Sequence, residues 1–365
     1  MKISKIAAVI AVVALASSCH SPSRSAPAGQ HCPRGWQAGV LWSTENGDSS
    51  ELAYVAGDRP ADRRTVPYLG FLPVPGSLED RSGDDLIMVS NGDQLRDRTH
   101  LVTFSAADCT MTGRQVPEQL VLGVAADDGV TFTTDAFADA GAVLRRRAAD
   151  GKVTAESHLK GLVLGKLLAH GNRLYAFGAG YADPNPPTQL LVLDATTLRE
   201  EARVVLRGSQ GTITQAVVKG EKLYYPETIS KAREGTRLGI VDLASLEQSS
   251  VDLGAPAPFL VADAGGYIWV GHTYPGPAFR ELTEYRWISR YDPATGKVKR
   301  FDLGIGISSI AITDSSLYVL GTQGSKDSAS FRIAALPDLK LRAELDIAKP
   351  DRPGHFYPST IVTPG

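Results

Sequence analysis

Two stretches of sequence decide the fold: Asn172-Arg173-Leu174-Tyr175-Ala176-Phe177-Gly178, then Leu190-Leu191-Val192-Leu193-Asp194-Ala195-Thr196-Thr197. The aliphatic–aromatic pair Leu174-Tyr175 inside a short apolar run reads as a buried strand. The second run reads as a further strand closed by a turn at Asp194, whose carboxylate is suited to accept backbone N–H groups. Residues 203–206 read as a third strand, and 212–218 as the opening of the next unit. Outward from this unit the grammar recurs. The pair returns as Leu41-Trp42, Leu223-Tyr224, Ile268-Trp269 and Leu317-Tyr318, with weaker copies at Leu86-Ile87-Met88-Val89 and Val130-Thr131-Phe132. The strand-and-turn returns as Leu238-Gly239-Ile240-Val241-Asp242 and as Ile288-Ser289-Arg290-Tyr291-Asp292-Pro293-Ala294-Thr295-Gly296.

These copies are spaced by about 44 to 49 residues, the period of a propeller blade. Seven copies predict an all-β chain folded as a seven-bladed β-propeller over 36–365. Blades pack face to face, so each covers its neighbour's open side. The "Leu-Tyr … Val-Asp-x-x-Thr" grammar resembles the YVTN family of β-propellers and the broader quinoprotein dehydrogenase-like propellers. The resemblance covers roughly residues 36–364, is strongest from 172 onward, and implies a fold rather than an activity. Each aliphatic–aromatic strand should follow an innermost strand, as Ser308-Ser309-Ile310-Ala311-Ile312 precedes Leu317. The first blade has no such predecessor, and the chain ends in an orphan, Ser359-Thr360-Ile361-Val362-Thr363. The C-terminal strand is therefore expected to insert beside residues 40–43 and close the ring, removing an unpaired edge.

The N-terminus carries a basic start, Met1-Lys2-Ile3-Ser4-Lys5, and an unbroken apolar stretch over 6–16. That stretch is too short for a membrane span, which takes about 20 helical residues, but it suits an export signal. It ends in Leu15-Ala16-Ser17-Ser18-Cys19, which resembles a bacterial lipobox despite Ala16 where Leu or Val is usual. The resemblance implies cleavage before Cys19 and a lipid on its sulfur; an ordinary secretory signal with a chance cysteine is the alternative. The domain reading is thus a signal peptide (1–18), a lipidated flexible tether (19–35) rich in Ser, Pro, Ala and Gly, and the propeller. Cys32 and Cys109 remain as an even pair, and in an exported protein such a pair is most simply a disulfide. In the propeller register both map to the face of the short turns. The expected location is the cell envelope, outside the cytoplasm and lipid-anchored.

A formal net charge of −2 excludes a broad nucleic-acid surface. The longest basic cluster, Arg145-Arg146-Arg147, reads as an arginine-rich strand edge. Three long loops, 178–189, 226–237 and 271–285, belong to consecutive blades and should rise together on one face. With the segment 349–357 they supply a candidate binding face of Tyr181, Glu227, Arg233, His272, Tyr274, Arg280 and His355. Motifs for nucleophile elbows, zinc proteases and phosphate loops are missing from the chain. The histidines are scattered, so no metal or cofactor is expected. The reading is a non-enzymatic binding or scaffold lipoprotein, with a protein, peptide or envelope ligand on that face. The alternative is a propeller hydrolase or lyase acting on a small molecule, with His272 and Glu227 as acid and base.

Overall fold

The computed structural model describes residues 24–25, 32–44, 49–67, 79–91, 99–136, 141–181, 186–227, 235–273, 285–321, 327–354 and 356–364. Seven antiparallel sheets form the blades, each with four strands running from the centre outward and, in blade two, a fifth short strand on the outer edge. Blade four shows the pattern: Leu162–His170, Arg173–Gly180, Pro187–Asp194 and Glu200–Gln210. Every aliphatic–aromatic pair read from the sequence falls on the second strand of its blade, including the weak copies in Asp85–Ser90 and Val130–Asp135. Burial explains why this strand carries the signal. Arg173–Gly180 is buried on six consecutive residues because neighbouring blades cover both of its faces. The outermost strand Glu200–Gln210 is exposed at most positions, since one face meets solvent. A continuous apolar run in one strand and alternation in the other follow directly.

The Asp turns form as the sequence implies. Asp194 Oδ1 accepts the Thr197 amide at 2.7 Å and the Thr197 hydroxyl at 2.7 Å; Asp242 does the same for Ser245 at 2.9 and 3.0 Å. These bonds hold both carboxyls below the usual carboxylate range. The turn then needs a left-handed residue, which is Gly296 (φ 70°) in blade six but Leu198 (φ 57°) and Leu246 (φ 59°) in blades four and five. Leucine is tolerated in this unfavourable region because its side chain is anchored: Leu198 is 1% exposed, within the blade-four core.

The ring closes as the orphan strand predicts. Phe356–Val362 pairs antiparallel with Trp36–Thr44, in register Val40↔Ile361 and Leu41↔Thr360, and becomes the innermost strand of blade one. One expected strand is shorter than read: the opening of blade five, placed over 212–218, reduces to Val217–Lys219. The preceding residues pack against blade four instead, with the Lys166 amide donating to the Ile213 carbonyl at 2.7 Å. The innermost strands are crowded here, and a Cβ on Gly123 would collide with the Gly165 carbonyl.

Cys32 and Cys109 form a disulfide, with Cα atoms 5.1 Å apart, joining the N-terminal approach to the third-to-fourth-strand turn of blade two. Cys109 occupies the left-handed position of that turn (φ 58°), and the Arg64 guanidinium donates to its carbonyl. Two parts of the stretch read as a flexible tether are placed against the propeller. Residues 32–35 lead from the disulfide into blade one, and Arg24–Ser25 pairs with Thr112 and Gly113 on the outer edge of blade two. An unpaired outer edge is a ready template for another strand, so part of that edge is covered by the chain itself. The signal peptide and Cys19 lie outside the described residues. Reducing the disulfide, which closes a loop of 77 residues in sequence separation, is expected to lower stability by about 2–4 kcal/mol. Denaturation midpoints with and without reductant measure this, and identical midpoints would show that the staple contributes nothing.

Candidate functional site

Of the residues proposed for the long-loop face, the structure describes Tyr181, Glu227 and His272; Arg233, Tyr274, Arg280 and His355 lie outside the described residues. Tyr181 follows strand Arg173–Gly180 and stands 73% exposed, its amide fixed to the Gly161 carbonyl at 2.9 Å. Glu227 behaves differently. Its side chain folds inward at the end of Lys222–Pro226, 3.6 Å from Arg237 Nε, and burial raises its carboxyl above the usual range. Gly208 leaves room for it: a Cβ there would stand 3.0 Å from Glu227 Oε2.

His272 is fully enclosed at the end of Tyr267–His272. Nδ1 lies 2.7 Å from the Pro256 carbonyl, which only accepts, so Nδ1 carries the hydrogen. Nε2 lies 2.8 Å from Ser289 Oγ and accepts from that hydroxyl. Burial pushes the imidazole down to about 4, so it is neutral near pH 7. The residue expected on the face as an acid or base is thus an internal brace between the second and third strands of blade six. Its position before a long loop made it look exposed; the fully apolar strand ahead of it was the contrary signal.

A cavity of about 470 Å³ lies elsewhere, in the central channel. Its lining comes from the innermost strands, and includes their last residues or those next to them, His170, Val218, Asp263 and Ile312, beside the first-to-second-strand turns. It therefore lies towards the short-turn face, the side of the disulfide. One wall is ionic: Glu79, Asp80 and Arg81 of Glu79–Ser82, with Lys166 of blade four. Lys166 reaches past blade three to donate to the Glu79 carbonyl at 3.2 Å, with Asp80 4.0 Å from its nitrogen. Asp80 also accepts the Ala126 amide at 2.9 Å, and the Thr360 hydroxyl donates to Glu79 at 3.2 Å. Arg81 donates to the Thr363 carbonyl and hydroxyl at 2.7 and 2.8 Å. Desolvation raises both carboxyls and lowers the guanidinium, with Lys166 the main opposing influence on the carboxyls. The opposite wall is largely aliphatic, with Val217, Leu260, Val261, Ile310 and Ile312, and also carries Ser309 and Asp263, the latter paired with Lys219.

Sequence reasoning passed over this cluster, although signals were there. Three consecutive charges occupy an innermost-strand position before Leu86, and Lys166 stands alone in Leu162-Val163-Leu164-Gly165-Lys166-Leu167-Leu168. A second buried ionic group explains the arginine cluster, which lies on the third strand of blade three and not on an edge. Strand alternation puts Arg146 on one face, against Thr154, and Arg145 and Arg147 on the other, against Glu118. Arg147, 2% exposed, donates to Glu118 at 2.6 Å and to the Thr133 hydroxyl at 3.2 Å; Thr133 donates to the same Glu118 oxygen at 2.9 Å.

No family model matches the sequence, and no curated protein matches it. Solved structures do. A protein from Lactobacillus plantarum superposes with TM-score 0.56 at 14% identity, covering 89% of this chain and 98% of that one. The β-propeller domain of Cps50 (Swd1) from Myceliophteria thermophila gives TM-score 0.52 at 13% identity, with 76% and 88% covered. Apo AztD from Citrobacter koseri gives TM-score 0.51 at 8% identity, with 90% and 99% covered. At such identities the likeness establishes the propeller fold alone.

Proposed function

We propose that this chain is an extracytoplasmic lipoprotein, anchored through Cys19, whose propeller serves as a binding or scaffold module. The observation that carries the binding reading is the division of labour among polar groups. His272 and Glu227, the groups an acid–base mechanism on the long-loop face would use, are built into blades six and five. Tyr181, by contrast, projects from that face, and the channel holds an open cavity with one ionic and one largely aliphatic wall. Cavities of roughly 300–1,000 Å³ with a few convergent polar groups are the usual form of a ligand site. The envelope location draws support from the Cys32–Cys109 bond, since disulfides persist in oxidising compartments. The partner on the long-loop face is a protein, peptide or envelope component.

Cell fractionation tests the anchoring. The native protein should sediment with membranes and take up a labelled fatty acid, and Cys19→Ser should lose the label. A native protein that is soluble or unlabelled, or a variant labelled as strongly as the native protein, would overturn it.

A further inference from the structure

The channel cavity presents its charges unevenly. Lys166 has a side chain only 7% exposed, and its amine points back at the strand of blade two. Arg81 spends Nη2 on Thr363, while its Nη1 is sealed from solvent. Lys166 is thus the most enclosed of the four charged residues, and Arg81 is half-buried, like Glu79. The carboxylates also reach the cavity, the Asp80 side chain keeping 24% exposure. Among the described residues no lysine or arginine nitrogen lies within 4.0 Å of the Glu79 carboxylate, whose hydrogen-bond partner is the Thr360 hydroxyl. Facing these carboxylates across the cavity is the hydrocarbon of Leu260, Val261, Ile310 and Ile312.

We infer that this cavity binds a small organic cation, a primary ammonium with a branched aliphatic body. The ammonium sits against Glu79 and Asp80, and the hydrocarbon against Leu260 and Ile310. This inference rests on the binding reading and gives its channel a ligand class. An ionised carboxylate removed from water is costly unless it is paired. Burial already holds both carboxyls above their ordinary range. Lys166 and Arg81 act on Glu79 without an ion-pair contact; an ammonium would add a countercharge in direct contact and three donors, while covering its hydrocarbon adds the gain of burying apolar surface. A carboxylate ligand would meet like charge at Glu79. A neutral alcohol of the same shape would keep the apolar contact and lose the charge-assisted one.

Titration calorimetry on the whole protein tests this with 3-methylbutylamine, 3-methylbutan-1-ol and 4-methylpentanoate. The amine should bind at least about tenfold more tightly than the alcohol, and the carboxylate should give no binding heat. Glu79→Gln should weaken the amine by about tenfold or more and leave the alcohol unchanged. Ile310→Ser should weaken both, and Val153→Thr on the outer strand of blade three should weaken neither. Should Glu79→Gln fail to fold, Asp80→Asn carries the same expectation. Equal affinities for amine and alcohol, amine binding indifferent to the carboxylate variants, or no amine binding would each overturn the inference. Partner capture at the long-loop face does not depend on the channel. A silent titration with capture intact would therefore remove this ligand and leave the binding propeller standing.

Discussion

Removal of residues 356–365 is expected to abolish cooperative folding. The lost strand supplies the innermost edge of blade one, paired with Trp36–Thr44 along its length. Side chains add to the main-chain ladder: the Ser359 hydroxyl donates to the Leu41 carbonyl at 3.0 Å and stands 2.9 Å from Ser43 Oγ. Ile361 and Val362, 5% and 1% exposed, belong to two different cores, one shared with blade seven and one with blade two. Burying two such side chains stabilises by about 1.5–3 kcal/mol each. With the ladder bonds added, the loss is comparable to the 5–15 kcal/mol of a whole domain. Thr360 and Thr363 also hold Glu79 and Arg81, so the ionic wall of the channel would lose its neighbours. The truncated protein should show no sharp thermal transition and should aggregate through the bared edge. Removing only Gly365 should change neither property. A truncated protein melting at the native midpoint would refute ring closure by this strand.

The second large effect is expected at the ionic group inside blade three. Glu118→Ala leaves the Arg147 guanidinium enclosed without its carboxylate, and breaking a buried pair in this way costs about 3–5 kcal/mol. Arg145, 3.6 Å from the same carboxylate, would lose a partner as well. Replacing both principal charges, as in Glu118→Leu with Arg147→Met, should restore much of the loss, because no uncompensated charge remains. Urea denaturation of the single and double variants measures the difference. A double variant as unstable as the sum of the two single changes would show that the pair acts independently rather than as a unit.

How far the sequence reveals this molecule depends on how many constraints act on each strand. Second strands are covered on both faces, so Leu174-Tyr175 and its copies stand out even where the turn grammar has decayed. The Asp194 and Asp242 turns are legible because one carboxylate meets several local donors, and no distant residue is needed. Ring closure is legible from a counting mismatch, a first blade lacking its innermost strand and a tail supplying one. The innermost strands are harder. Their residues answer to the neighbouring blades and to the channel at once, so Glu79-Asp80-Arg81 has the look of a surface loop. His272 misleads for a related reason: it closes an apolar strand and precedes a long loop, and only tertiary packing brings Pro256 and Ser289 to its two nitrogens. Arg145-Arg146-Arg147 resolves by strand alternation once Glu118 is known to lie beneath.

The binding role is tested most directly by photo-crosslinking in intact cells, with a photoreactive residue at position 181 on the long-loop face or at 205 on the outer strand of blade four. Both positions are exposed, Tyr181 at 73% and Val205 at 55%, so accessibility alone does not separate them. The account predicts one discrete crosslinked species from position 181 and none from position 205. Equal crosslinking from both positions, or none from position 181, would contradict it.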